Sequence, residues 1–83
     1  MFKLHISTKA SKQIKQLKKA YQTEIIDVLS EIKETPLLGK PLSRELNKKF
    51  SYRFGVYRII YKVNQQDEIV EILSAGHRSK IYN

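Results

Sequence analysis

The feature that most constrains the fold of this chain is a series of three strand-like stretches in its second half, separated by very short connections. The stretches cover residues 50–54, 56–63 and 68–75, and they are rich in the β-branched and aromatic residues that favour strands. Gly55 separates the first two stretches, and the polar residues 64–67 separate the second from the third. Connections of this kind are typical of turns, so the sequence predicts three strands of a mostly antiparallel sheet.

The first half of the chain predicts one further strand and two helices. Residues 2–6 alternate between apolar and polar types, as a half-buried strand does, and Ser7 or Thr8 offers an oxygen to cap a following helix. Apolar residues at helical spacing then define the buried side of the first helix: Ala10, Ile14, Leu17 and Tyr21. A second helix is predicted over residues 22–33, and Pro36 ends it because the residue before a proline disfavours helical geometry. Its buried stripe is Ile25, Val28, Leu29 and Ile32.

These segments follow one another in the order β-α-α-β-β-β, with residues 36–49 as a connection punctuated by Pro36, Gly39 and Pro41. The fold class predicted from this order is α+β, with a helical hairpin packed on one face of a mostly antiparallel four-stranded sheet. Because 83 residues have room for one hydrophobic core, we interpret residues 1–83 as a single domain.

Composition argues against several kinds of site. The chain has no cysteine, which removes disulfides, thiolate metal sites and a cysteine nucleophile, and its two histidines, His5 and His77, show no metal-ligand spacing. No apolar run approaches the ~20 residues that span a bilayer, and the N-terminal apolar stretch is too short for a secretory signal. We therefore expect a cytoplasmic protein without a metal, a cofactor or a membrane contact.

The charge of the chain indicates a polyanionic partner. Sixteen lysines and arginines against eight acids give a formal net charge of +8. The first 23 residues contain six lysines and no acid, and residues 36–66 contain seven basic residues and one acid. A positive field of this size attracts nucleic acid, although a soluble cationic protein without such a partner remains an alternative.

Alternation along the predicted strands places two arginines on one face of the sheet. Tyr57 and its alternate neighbours are apolar or aromatic and should face the helices, which leaves Arg58 on the other face. Arg53 alternates in the same way with the aromatic residues of the preceding strand. Two guanidinium groups that converge there suit a phosphate. The alternatives are an ion pair between Arg58 and Glu71 and a solvated edge position for Arg53.

The C-terminal residues 76–82 combine an imidazole, two cations and a phenol. Metal-independent RNA cleavage needs a base for the 2′-hydroxyl, cations for the charged phosphorane and an acid for the leaving oxygen. His77 is a candidate for proton transfer because an imidazole titrates near neutral pH, and the alternative for His77 is an ordinary surface histidine. His5 alternates with core residues and is interpreted as structural.

Two motifs of this chain resemble the RelE/ParE superfamily of type II toxins. The first is the stretch 57–61, Tyr-Arg-Ile-Ile-Tyr, and the second is residues 76–82, about 15 residues later. Residues 39–42, the opening strand and the lysine-rich helix are also similar to that family. Resemblance to the RelE branch implies a ribosome-dependent endoribonuclease that cuts messenger RNA. It also implies a cognate antitoxin and allows a heterotetramer with it.

The resemblance also assigns roles to individual residues. Arg58 matches the strand arginine at the scissile phosphate, Arg78 matches an arginine that stabilises the transition state or leaving group, and Tyr82 matches a tyrosine that orients the substrate. Arg53 matches a basic position on the preceding strand. Ser51 departs from relatives that carry a second basic residue there, so His77 is the leading replacement as the general base.

A second set of residues is predicted to bind RNA, in the messenger or the ribosome. Its members are exposed lysines of the first helix and of the connection before the meander of strands: Lys12, Lys15, Lys19, Lys48 and Lys49. The ParE branch is the alternative within the family and implies an inhibitor of DNA gyrase without nuclease activity. A third alternative is an inactive module that binds nucleic acid or antitoxin.

Overall fold

The computed structural model describes residues 1–42 and 49–77, in which two helices pack on one face of a mixed five-stranded sheet. The strands are β1 (Lys3–Ile6), β2 (Lys40–Pro41), β3 (Lys49–Phe54), β4 (Tyr57–Asn64) and β5 (Ile69–His77), and the α-helices are α1 (Thr8–Lys15) and α2 (Lys19–Glu34). The strand order is β1-β5-β4-β3-β2, with β1 parallel to β5 and the other neighbours antiparallel. The predicted α+β class is confirmed.

The predicted number of four strands is wrong, because part of the predicted connection pairs with the sheet. Lys40 lies opposite Ser51, and Pro41 lies opposite Phe50. A proline fits an edge strand, where its missing N–H costs no hydrogen bond to a neighbour. The preceding residues form a 3₁₀ turn, Pro36–Leu38. Glycine and proline flank this short strand, so its local sequence is typical of a loop.

The two helices meet at a break that the apolar spacing alone does not show. Ser7 caps α1, since its hydroxyl oxygen accepts a hydrogen bond of 3.0 Å from the backbone N–H of Ala10. The predicted first stripe continues to Tyr21, but α1 ends at Lys15 and α2 begins at Lys19 rather than near residue 22. The side chain of Gln22 stabilises the break by donating to the backbone oxygens of Lys15 and Leu17, at 3.3 and 2.7 Å.

If the residues of β5 alternated without interruption, both of its faces would carry apolar residues. A β-bulge at Leu73 interrupts the alternation and explains this pattern. Ile60 lies opposite Ser74 and Tyr61 lies opposite Ile72, so Leu73 is an extra residue in β5. Ser7 bonds the backbone of the bulge, since its N–H donates to Ile72 O and its hydroxyl donates to Leu73 O. As a result, each residue of β5 after the bulge lies on the face opposite to the one that simple alternation would give it.

The hydrophobic core lies between the helices and one face of the sheet. Helix α1 contributes Ala10 and Ile14. Helix α2 contributes its predicted stripe, with Ile25, Leu29 and Ile32 buried and Val28 partly buried. The strands contribute Phe50, Ile59, Tyr61, Val63, Val70, Ile72 and Ala75. Neither described helix is long and apolar enough to cross a membrane.

Candidate functional site

The face of the sheet opposite the helices brings the two predicted arginines together. On the helix-covered face, Phe50 and Phe54 of β3 lie opposite Tyr61 and Tyr57 of β4. On the other face, Arg53 lies directly opposite Arg58. Arg53 is exposed, whereas Arg58 is only 3% exposed. Like charges that are directly opposite on neighbouring strands destabilise a sheet. An anion between the two guanidinium groups would convert that repulsion into two attractive contacts.

A cleft of about 410 Å³ lies over this pair and is lined by Lys40, Arg53 and Arg58 without a carboxylate among its described residues. Lys40 joins the arginines because it lies opposite Ser51, which alternates with Arg53 on the same face of β3. We name this group of three cations and Ser51 the arginine cleft. Sequence reasoning missed Lys40 as a site residue because a lysine between glycine and proline is typical of a loop.

The phenol of Tyr61 holds the edge of the arginine cleft in place. Its O–H donates to the carbonyl of Pro36, and its oxygen accepts from the N–H of Gly39, both at 2.8 Å. Burial raises the pKa of Tyr61, the N–H of Gly39 acts in the opposite direction, and Tyr52 adds a smaller upward contribution. Tyr61 therefore stays neutral and positions the backbone immediately before Lys40.

The alternative ion pair between Arg58 and Glu71 is not supported by the register. Glu71 lies opposite Lys62, four residues along β4 from Arg58, and Arg58 lies opposite Gly76. The carboxylate of Glu71 instead lies 3.8 Å from the imidazole Nδ1 of His5. Both of these side chains are substantially exposed, so this contact is weak.

His77 does not join the arginine cleft, contrary to the expectation from the sequence. It lies opposite Tyr57, and therefore on the face of the sheet that carries the aromatic residues. The two rings meet edge to face, with centroids 6.0 Å apart. The physical reason is the register: Gly76, rather than His77, shares the face of Arg58. The proposed general base is thus separated from the two arginines by the sheet.

The remaining predicted site residues divide into three groups. Lys49 lies on the face of the arginine cleft, because it lies opposite Lys62 and alternates with Ser51 and Arg53. Lys12, Lys15 and Lys19 are exposed on the helical layer, on the other side of the molecule. Arg78, Tyr82 and Lys48 lie outside the described residues. Within residues 1–42 and 49–77, no three His, Asp or Glu side chains group as metal ligands.

Comparison with known proteins identifies the family. A sequence profile described as "ParE toxin of type II toxin-antitoxin system, parDE" matches residues 4–82 of this chain. The chain belongs to the RelE/ParE family of type II toxins. A curated relative in this family, Toxin RelG of Mycobacterium tuberculosis, is 31% identical over 83 residues, which are 98% of this chain and 95% of the relative.

Solved structures of RelE/ParE toxins share the fold. The toxin–antitoxin complex RelBE2 of Mycobacterium tuberculosis matches with a TM-score of 0.83 and 30% identity, over 93% of this chain and 98% of the matched chain. The isolated RelE toxin of E. coli matches with a TM-score of 0.79 over 93% of this chain and 84% of its own. Its identity of 20% means that this second match shows the fold alone.

Proposed function

We propose that this toxin is an endoribonuclease that binds messenger RNA on the ribosome and cleaves it by attack of a 2′-hydroxyl on the adjacent phosphate. The attack forms a 2′,3′-cyclic phosphate and breaks the P–O5′ bond, and the leaving 5′-oxygen gains a proton in place of the one that the 2′-hydroxyl loses. The observation that carries the proposal is the arginine cleft, in which Arg53 and Arg58 lie directly opposite each other beside Lys40. Three cations around one cleft, whose described lining residues include no carboxylate, suit a phosphodiester, and they suit its more highly charged phosphorane better still. Such a target places the activity in the cytoplasm.

The chemistry assigned to the cleft is charge stabilisation. During the attack, negative charge grows on the non-bridging phosphate oxygens, and the buried guanidinium of Arg58 donates hydrogen bonds to them from a fixed position. Arg53 and Lys40 hold the same phosphate from the rim of the cleft. Arg78 remains the proposed stabiliser of the leaving oxygen, and Tyr82 the proposed residue that orients the substrate.

We also propose a cognate antitoxin as the protein partner. RelBE2 and the intact E. coli RelBE complex are toxin–antitoxin pairs. An antitoxin segment with carboxylates would neutralise the arginine cleft by the same charge complementarity that favours RNA. A heterotetramer with two copies of each chain is one assembly compatible with this pairing.

Inhibition of DNA gyrase is the second candidate function, and the ParE description of the matching profile favours it. In that case the toxin would bind a protein and cleave no RNA. The cleft argues for the nuclease, because a cavity with converging arginines is built for a phosphate rather than for a flat protein surface.

Cleavage of messenger RNA by purified toxin on translating ribosomes tests the proposal, with the new RNA ends mapped along the message. We expect ends at fixed positions relative to codons and a loss of about 10²–10³-fold in rate for Arg58→Ala, since one electrostatic donor contributes on that scale. Lys33→Gln, a charge change on helix α2, is the control and should cleave normally. Intact messenger RNA together with inhibited supercoiling by gyrase would instead assign the ParE function.

A further inference from the structure

We propose that Lys49 and Lys62 form a second phosphate subsite, so that single-stranded RNA lies extended along the β3–β4 ladder from the arginine cleft to this lysine pair. This inference rests on the proposed function, because it extends the same binding surface. It assigns two residues that play no part in the cleavage chemistry, and it defines the substrate as a strand several nucleotides long.

The register places two cation pairs on one line. Lys49 lies directly opposite Lys62, just as Arg53 lies directly opposite Arg58, and both pairs share the face opposite the helices. The pairs are four positions apart along each strand, which corresponds to about 14 Å at the usual rise of a strand. This distance exceeds one nucleotide, so the two pairs would hold phosphates that are not adjacent in the RNA.

The electrostatics of the ladder indicate a polyanion. Like charges directly opposite on neighbouring strands repel each other, and this face of the β3–β4 ladder carries two such pairs. Glu71 lies beside Lys62 on β5 and offsets one charge of the lysine pair, but its carboxylate also contacts His5. A bound chain with repeating negative charge would relieve the repulsion in both pairs at once.

The side chains that lie between the two cation pairs are uncharged and can contact the base and the ribose of a nucleotide. Ser51 and Ile60 lie opposite each other there, and both are partly exposed. Ile60 offers an apolar surface to a base, and the hydroxyl of Ser51 can hydrogen-bond to a ribose. A cationic groove that follows the backbone, with apolar surface between its charges, is the arrangement by which single strands are bound.

The inference is tested by equilibrium binding of single-stranded RNA whose 2′-hydroxyls are methylated, so that cleavage cannot occur. A fluorescent octanucleotide reaches both subsites, whereas a dinucleotide with one internucleotide phosphate occupies only one. We expect Lys49→Gln combined with Lys62→Gln to weaken octanucleotide binding by roughly five- to tenfold at low salt. The slope of log K against log salt concentration should also become shallower, by about 0.7 for each lost phosphate contact. Dinucleotide binding should be unchanged.

The matched control combines Lys9→Gln with Lys33→Gln, which removes the same charge from the helical layer and should leave binding of both oligonucleotides unchanged. An equal loss in the control would overturn the subsite, because the effect would then be one of net charge. Octanucleotide binding that depends on Arg58 but not on the lysine pair would overturn the subsite and leave the nuclease proposal standing. No measurable RNA binding by the unaltered toxin would overturn both.

Discussion

At the scale of single residues, Tyr61 shows how one buried hydroxyl connects the core to the site. Its ring is part of the core and stacks on Phe50 with centroids 5.4 Å apart, while its oxygen joins the backbone of Pro36 and Gly39. Gly39 allows this close approach, because a Cβ there would lie 2.7 Å from the phenol oxygen. The position of Lys40 therefore depends on a contact made from the other face of the sheet.

We predict that Tyr61→Phe lowers the free energy of unfolding by about 1–3 kcal/mol at neutral pH, because it leaves two backbone groups without their partner. Burial raises the pKa of Tyr61 in the folded state. The stability that its hydroxyl contributes is therefore fully present below the pKa of tyrosine in the unfolded chain, about 10. It is lost as the pH rises through the higher pKa of the folded state. Urea unfolding at several alkaline pH values should show the difference between the two proteins shrinking above about pH 10. Tyr21→Phe, at an exposed position, is the control and should lose little stability.

The position of His77 leads to a second prediction at this scale. Because His77 lies with Tyr57 on the helix-covered face, His77→Gln should retain most of the cleavage rate and the same pH dependence of kcat/KM. A single-turnover assay between pH 5 and 9 measures both quantities. A loss of about 10²–10⁴-fold with an altered acidic limb would instead restore the imidazole as the general base.

At the scale of elements, the β3–β4 ladder combines two opposing requirements. On the aromatic face it packs rings against the helices, whereas on the other face it carries four cations in two directly opposed pairs. The core holds the ladder together in spite of that repulsion, since ring and aliphatic packing on the buried face stabilise it by more than the repulsion between the opposed cations costs. The proposed anion-binding surface is thus built on two strands whose other face is packed into the core.

We predict that Lys49→Glu stabilises the protein by about 0.2–1 kcal/mol while weakening its binding to RNA, because it replaces a like-charged pair with an opposite-charged one. Thermal unfolding and octanucleotide binding, measured on the same preparation, test the two effects together. The gain in stability should diminish in high salt, where exposed charges are screened. A loss of stability would show that Lys49 makes a favourable contact within the protein itself.

At the scale of the whole molecule, the positive charge is distributed over two opposite surfaces. The arginine cleft and the lysine pair lie on the sheet, and the exposed lysines of the helical layer lie on the other side. One short RNA strand cannot contact both surfaces at once. We infer that the sheet binds the messenger and that Lys12, Lys15 and Lys19 of the helical layer contact ribosomal RNA.

We predict that replacing Lys12, Lys15 and Lys19 with glutamine weakens binding to ribosomes and makes that binding less sensitive to salt, while leaving octanucleotide binding unchanged. Fewer lysine–phosphate contacts release fewer counterions, which flattens the salt dependence. Sedimentation of toxin with ribosomes at several salt concentrations measures the effect. Unaltered ribosome binding would show that the helical lysines keep the protein soluble and make no contact with RNA.

Local pattern in the sequence determined several features of this protein correctly. Alternation in residues 50–63 identified which side chains enter the core, and it therefore placed Arg53 and Arg58 on the same face. Helical spacing identified the buried residues of α2, and composition indicated a cationic surface. These inferences succeed because burial at a period of two or 3.6 residues is a local property of the chain.

The tertiary structure alone decided which residues from distant segments share the site. Lys40 joins the arginine cleft because β2 pairs with β3, His77 leaves it because of the register between β4 and β5, and Lys49 faces Lys62 through the same ladder as the arginines. Register between strands depends on turns, on the bulge at Leu73 and on packing against the helices. No local window of the sequence contains those interactions, so only the assembled sheet could show them.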